Sequence, residues 1–78
     1  MPVLLKHKDK EVYIRSVNWA DGEVSFTDDV KQAKVYDNDW FADAEKSQLT
    51  CYAAKPYEKG GLKGEYVSEI PEMVVHYT

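Results

Sequence analysis

The sequence predicts a single α+β domain, residues 1–78. We expect a small antiparallel sheet, formed by an N-terminal meander and C-terminal strands, with one main helix (residues 39 to about 54) on one face and a short helix near residues 28–33. Three observations support this fold. Apolar residues alternate with a period of two near the N-terminus, as in half-buried strands. They recur with helical spacing later in the chain. The 78-residue length fits one domain, and the 44% hydrophobic content is typical of a globular chain.

The first part of the chain is predicted to form three strands. Residues 3–6 are mainly apolar, and residues 11–19 alternate between apolar and polar or larger side chains. Asp21 and Gly22 then form a dipeptide that favours a tight turn, and the alternation resumes in residues 23–26. The simplest arrangement is a three-stranded antiparallel meander.

A short helix is predicted to follow the meander, over residues 29–33. Thr27 or Asp28 is expected to cap it, because each side-chain oxygen can accept a hydrogen bond from a backbone N–H of the first turn. Residues 34–36 are predicted to be a short strand or an extended connector.

The main helix is predicted to start at a cluster of capping residues, Asp37, Asn38 and Asp39. Pro56 is expected to end it, because a proline disfavours helical geometry in the residue before it. Projection at 100° per residue places an apolar group on one broad side of the helix: Trp40, Phe41, Ala44, Leu49, Cys51 and Tyr52.

The C-terminal part is predicted to hold a loop and two strands. Residues 57–64 contain three glycines and are expected to form the loop. Residues 65–70 are expected to be a strand that Pro71 ends, and residues 73–77 a second strand.

Negative charge is concentrated in the middle of the chain. The net charge is −4, but residues 21–45 hold eight acids and two lysines, which gives −6, and the remainder carries +2. A general nucleic-acid-binding protein shows a basic stripe instead. Direct binding to DNA or RNA is therefore disfavoured.

The acids do not follow a metal-binding pattern. A calcium loop places carboxylates at alternate positions with a central glycine. This segment has Asp37, Asp39 and Asp43, but it lacks the glycine and has aromatic residues where the loop would turn. Asp28 and Asp29 are better explained, like the other three, as capping residues at helix starts. We expect no metal site and no cofactor.

No catalytic group is predicted. Cys51 lies on the apolar side of the predicted helix, where a free cysteine is usually a small core residue. With His7 and His76 it supplies too few ligands for structural zinc, and both histidines are expected at the surface or at a strand edge. The segment EKGGLKG (residues 58–64) does not have phosphate-loop spacing. We therefore expect no enzyme activity.

The single cysteine and the lack of a long apolar stretch indicate the cellular compartment of the protein. The lone thiol fits a reducing compartment. No stretch approaches the roughly 20 apolar residues of a membrane span, and the N-terminus has no apolar signal segment. We expect a soluble, cytoplasmic protein with no membrane partner.

Large aromatic side chains are the most suggestive feature. The eight tyrosine and tryptophan residues cannot all be buried in so small a domain. Either some are exposed for binding, or several cover the seam between helix and sheet with their polar tips in water. Trp19, Trp40 and Tyr57 are predicted to anchor a protein partner, because exposed Trp and Tyr residues are frequent in interfaces.

One motif, GEVSFTDDVKQAKVYDN followed by FADA, resembles small uncharacterised proteins encoded by phages and prophages of Gram-positive bacteria. The resemblance covers roughly the first two-thirds of the chain. It implies a phage-borne accessory protein in the cytoplasm of the host cell. The residues that carry it are Phe26, Thr27, Asp28, Ala33, Lys34, Tyr36 and Asp37.

Three functions fit these observations. The first is a non-enzymatic protein that binds and modulates a host protein, with the predicted aromatic anchors in contact and the acids between residues 28 and 43 attracting a basic partner. The second is an acidic mimic of nucleic acid that inhibits a host nuclease, a restriction system or a CRISPR effector. The third is a phage structural or assembly component that forms homo-oligomers through exposed strand edges.

Overall fold

The computed structural model describes residues 2–77. The sheet is antiparallel, with strand order β3-β2-β1-β4, and the chain has one α-helix, which confirms the predicted α+β class. The elements are β1 (Val3–His7), β2 (Tyr13–Asn18), β3 (Glu23–Thr27), α1 (Asp39–Ala53) and β4 (Met73–Tyr77), with short 3-10 helices at Val30–Gln32, Tyr57–Lys59 and Val67–Glu72.

Strand β1 lies in the interior of the sheet and has two unequal neighbours. It pairs with β4 over five positions, from Val3 opposite Tyr77 to His7 opposite Met73. Its pairing with β2 covers one position, because the connector after the first 3-10 helix is inserted between the two strands. There, Val3 and Tyr36 exchange backbone hydrogen bonds of 3.0 and 2.9 Å. The predicted extended connector over residues 34–36 therefore completes the sheet.

The predicted meander is confirmed. β2 pairs with β3 on one side and β1 on the other, and an irregularity between Ile14 and Ser16 shifts the register with β3. Gly22 has φ of +71° at the turn between β2 and β3, a conformation that glycine adopts without steric cost. The Asp21-Gly22 dipeptide thus forms the predicted turn.

The short helix is capped by a residue other than the predicted ones, whereas the cap of α1 is one of its predicted candidates. The short helix is the 3-10 helix Val30–Gln32, and Asp29 caps it, with its side chain accepting from the Lys31 N–H. The prediction of Thr27 or Asp28 is wrong because the helix starts later; the Thr27 hydroxyl accepts from the Asp29 N–H instead. Helix α1 is capped by Asn38, one of the three predicted candidates, which accepts from the Phe41 N–H.

The face that α1 buries differs from the predicted one. Ala42 and Leu49 are fully buried and Ala53 is partly buried, so the buried stripe consists of one large and two small residues. The small side chains allow the helix to approach the sheet closely. Of the side chains predicted to form the apolar face, all but Leu49 are exposed: Trp40, Phe41, Ala44, Cys51 and Tyr52. Cys51 is therefore not a core residue.

The predicted strand over residues 65–70 is also wrong. Its last four residues belong to the 3-10 helix Val67–Glu72, which includes Pro71 and buries Ile70. Proline lacks the N–H that a strand ladder requires, so Pro71 does not continue a strand. The second predicted strand is confirmed as β4.

The core lies mainly between the sheet and α1. Its largest fully buried members include Leu5, Ile14, Leu49, Ile70 and Met73. The opposite face of the sheet has a smaller cluster of Leu4, Tyr13 and Ala33. The larger part of the core therefore lies on the face of the sheet that packs against α1.

His7 is buried, which corrects the prediction of a surface histidine. Its Nδ1 accepts from the backbone N–H groups of Asp9 and Lys10, at 3.0 and 3.2 Å. Nε2 therefore carries the proton and donates to Glu69 Oε2 at 2.6 Å. Lys10 Nζ donates to the other oxygen of Glu69 at 2.9 Å. The ring thus ties the β1–β2 turn to the last 3-10 helix.

Replacing Leu49 with alanine tests which face of α1 is buried. We expect Leu49→Ala to lower the free energy of unfolding by about 3 kcal/mol, because it leaves a cavity in the core. Cys51→Ala, two positions away on the exposed side, should change it by less than ~0.5 kcal/mol. Urea unfolding followed by circular dichroism measures both variants. Equal losses would contradict the described orientation of the helix.

Acidification should weaken the contact between Glu69 and the β1–β2 turn. Hydrogen bonds from Lys10 and then His7 lower the pKa of Glu69 from its ordinary 4.5. Because the folded state binds this proton less well than the unfolded chain, the contribution of Glu69 to stability is complete above the ordinary pKa. It is lost as the pH falls through the lower, folded-state pKa.

The Glu69→Gln variant should therefore be less stable than the native protein at neutral pH, and it should lose less stability on acidification. Glu58→Gln, an exposed carboxylate elsewhere, serves as the matched control. Urea midpoints measured between neutral pH and pH values below the ordinary carboxyl range test this. A Glu69→Gln curve parallel to that of the native protein would contradict the assignment.

Candidate protein-binding surfaces

An exposed aromatic and aliphatic surface surrounds the start of α1. Four large apolar side chains are open to solvent there: Val35 (60% exposed), Trp40 (68%), Phe41 (48%) and Tyr77 (56%). The Trp40 and Phe41 rings contact each other edge to face, with centroids 5.1 Å apart. We call these residues, together with Asp37, Asp39 and Asp43, the helix-start surface.

The carboxylates of this surface are tied to its apolar residues. The Tyr77 hydroxyl donates to Asp39 Oδ2 at 3.2 Å. This hydrogen bond, then the charges of Asp39 and Asp43, raise the pKa of Tyr77 above its ordinary value. Asp39 and Asp43 are one helical turn apart, so both face the end of β4. Asp37 lines a shallow hollow with Val35 and Phe41.

A second aromatic group lies at the other end of α1. Trp19, in the turn after β2, contacts Tyr52 edge to face with centroids 5.6 Å apart. Trp19 and Tyr57 line the same hollow, and the Tyr57 hydroxyl donates to the Asp21 carbonyl at 3.2 Å. We call this region the glycine groove, because Gly22, Gly60 and Gly61 form part of its wall.

The glycine groove is held by backbone hydrogen bonds. Lys63 N–H donates to the Gly22 carbonyl at 2.8 Å, and Val24 N–H donates to the Lys63 carbonyl at 3.0 Å. A Cβ on Gly61 would lie 2.1 Å from the carbonyl oxygen of Lys55, so the loop requires glycine there. The loop is thereby fixed against the start of β3.

The predicted acids do not form one group. Asp28 and Asp29 lie at the end of β3 and the start of the first 3-10 helix, where Asp29 is engaged as a cap. Two other acids of the −6 segment are in ion pairs: Glu45 with Lys34 at 3.0 Å and Glu23 with Lys63 at 3.3 Å. Asp37, Asp39 and Asp43 are the predicted site acids that lie around the start of α1.

The three predicted aromatic anchors are all exposed but lie on two surfaces. Trp40 belongs to the helix-start surface, whereas Trp19 and Tyr57 line the glycine groove. Tyr52 lies twelve positions after Trp40 in α1, which corresponds to about 18 Å along the helix axis.

Sequence reasoning missed two exposed aromatic residues on α1. The helical period places Phe41 and Tyr52 on the apolar side of α1, but a period identifies a side of a helix and cannot show which way that side faces. Ala42 is the residue that could have indicated which side of α1 is buried, but a single alanine is a weak signal in a sequence.

The histidines and the cysteine do not come together. His7 lies opposite Met73 in the sheet and His76 lies opposite Leu4, so the two rings are at different ends of the β1–β4 ladder. Within residues 2–77 there is no group of three or more His, Cys, Asp or Glu side chains that could hold a metal ion. No helix in this part of the chain is long and apolar enough to cross a bilayer.

No protein-family model, curated protein or solved structure matches this chain. The resemblance to phage-encoded proteins therefore stays a prediction.

The two tryptophans should differ in their response to quenchers. The Trp19→Phe variant leaves Trp40, which is more exposed and has three carboxylates nearby, and Trp40→Phe leaves Trp19. We expect acrylamide to quench Trp40 more strongly. The ratio of quenching by caesium to quenching by iodide should be higher at Trp40 than at Trp19, because the carboxylates near Trp40 attract a cation and repel an anion. Equal quenching of both variants would contradict the described surfaces.

Proposed function

We propose that this protein is a non-enzymatic binding protein that docks on another protein through the helix-start surface. The observation that carries the proposal is the exposed Trp40–Phe41 pair among three carboxylates. An exposed apolar patch with a polar rim is typical of a protein interaction site.

The aromatic pair has the properties of an interface anchor. Trp and Tyr are enriched among the residues that contribute most to binding, and such residues work best at the centre of a patch. Trp40 and Phe41 lie in the first turn of a capped helix, so the backbone that carries them is ordered before binding. A preorganised anchor loses less conformational entropy when it binds.

The carboxylates define the chemistry of the partner. Asp37, Asp39 and Asp43 surround the anchor, and negative charge at a rim accelerates the approach of a positively charged surface. The proposed partner has an apolar pocket edged with Lys or Arg. If the resemblance to phage proteins holds, the partner is a host protein whose activity is modulated by the docking.

An acidic mimic of nucleic acid is the second candidate. The three carboxylates around the start of α1 favour it, since they could occupy phosphate positions in a basic groove. The pairing of Glu23 and Glu45 with lysines removes part of the charge that such a mimic would present. The two functions differ in salt dependence: a mimic is held by charge, which salt screens, whereas an aromatic anchor is held mainly by apolar contact.

The experiment uses the tagged protein as bait in a Gram-positive bacterial lysate, with washes at low and high salt and identification by mass spectrometry. The recovered partner is then purified and titrated against the variants. Trp40→Ala with Phe41→Ala should weaken binding at least tenfold, which corresponds to about 1.4 kcal/mol. Val30→Ala, an exposed apolar residue outside the surface, is the matched control and should bind as the native protein does.

Three outcomes would contradict this proposal. Unchanged affinity of the double variant would exclude the helix-start surface. Loss of affinity in Trp19→Ala alone would move the site to the glycine groove. A basic nucleic-acid enzyme that is retained at low salt and released at high salt would favour the mimic.

A further inference from the structure

The two edges of the sheet differ in how they are covered. At the β3 edge, Lys63 forms a bridge with Glu23, and two backbone hydrogen bonds join this part of the loop to Gly22 and Val24. The other edge is β4. In the part of the chain that the structure describes, β4 pairs with β1 on one side and with no strand on the other.

The hydrogen bonds around β1 show which backbone groups of β4 point outward. Val3 and His7 direct their N–H groups away from β4, to Tyr36 and to the β1–β2 turn. Lys8, the next residue, donates to the Glu72 carbonyl, which continues the ladder between β1 and β4. Backbone groups alternate along an antiparallel ladder. Val74 and His76 therefore face β1, whereas Val75 and Tyr77 face outward.

The outward edge of β4 lacks the features that block strand pairing. Its five residues, Met-Val-Val-His-Tyr, include no lysine, no proline and no acid, and the pairing with β1 has no bulge. Natural edge strands are usually protected by such residues or by irregular geometry. The Met73 N–H is bonded to the Ile70 carbonyl, so the open donors are those of Val75 and Tyr77.

We propose that β4 pairs antiparallel with β4 of a second copy, which joins the two sheets into one continuous sheet. In the fully overlapped register, Val75 lies opposite Val75 of the second copy and the two exchange hydrogen bonds. Each Tyr77 N–H then donates to the Met73 carbonyl of the other copy. The same strand on both sides satisfies a two-fold axis, as an isologous interface requires.

The lack of charged residues along β4 allows a second copy to be the occupant. Each chain carries −4, so two copies repel each other over most of their surface. The uncharged β4 edge is the segment where close approach costs least. In the proposed register, His76 lies opposite Val74 of the other copy, so no two like charges are directly opposed. Val74, which is 42% exposed, would lose solvent contact there.

This inference does not depend on the proposed function. The interface uses the main chain of Tyr77, and the ring of Tyr77 stays with Asp39 on the helix-start surface. A dimer would carry two helix-start surfaces, which raises the avidity for a partner that has two sites.

The first test measures mass and amide exchange of the native, ¹⁵N-labelled protein from micromolar to millimolar concentration. We expect the mass from light scattering to rise toward that of a dimer. The amides of Val75 and Tyr77 should exchange slowly at high concentration and rapidly at low concentration. The amides of Val74 and His76, which bond to β1, should be slow throughout.

Two variants show whether the β4 edge is responsible. Val75→Pro removes an outward donor and leaves the bonds to β1 in place. Val74→Lys keeps the backbone and adds the charge that protects natural edges. Both variants should be monomeric at concentrations where the native protein is dimeric. Their dimer dissociation constants should be at least tenfold higher than that of the native protein. Val35→Lys, which places the same charge on the exposed helix-start surface, should dimerise as the native protein does.

Circular dichroism verifies that each variant is folded. If Val75→Pro does not fold, the association of Val74→Lys alone tests whether the β4 edge forms the dimer. A native protein that is monomeric at millimolar concentration, with rapid exchange at Val75 and Tyr77, would overturn the proposal. A dimer that Val74→Lys leaves unchanged would overturn it as well, because another face would then form the contact. Binding of a foreign strand to β4 of a monomer would also overturn it.

Discussion

The pairing of β1 with β4 is the constraint on which the rest of the structure depends. It joins the two ends of the chain over five positions and places β1 inside the sheet, where Val3 and Leu5 are completely buried. Helix α1 covers this pair of strands, and the last 3-10 helix leads directly into β4. His7, at the end of β1, adds a polar link to the same 3-10 helix through Glu69. Without this pairing, α1 would lose the pair of strands that it covers.

The exposed surfaces follow from how α1 meets this sheet. Its buried stripe uses Ala42, Leu49 and Ala53, so the helix lies close to the strands and its larger aromatic residues stay outside. Burying Trp40 and Phe41 would have served stability better, since each aromatic ring can remove a large apolar area from water. Their exposure therefore lowers stability, and we propose that these rings are exposed because they bind a partner.

Much of the fold could be predicted from local patterns in the sequence. The alternation of β2 and β3, the Asp21-Gly22 turn and the capping cluster at Asn38 are local signals with local causes. The features that were predicted wrongly depend on contacts between residues that are distant in the sequence. The burial of His7 requires Glu69, far along the chain, and the facing of α1 depends on the strands beneath Ala42. The candidate site residues were chosen from the sequence by residue type alone, whereas their division into two surfaces required the geometry of the folded chain.

The long separation between β1 and β4 has a consequence for how the protein folds. Among the described elements, the strand that is synthesised first pairs with the one synthesised last, so a loop formed by most of the described residues must close before the sheet is complete. Closure of long loops slows folding, and it leaves unpaired strand edges exposed meanwhile. On the ribosome, β1 must therefore wait unpaired on one side until β4 has left the exit tunnel. The meander, whose contacts are local, has no such delay and is the natural place for structure to begin.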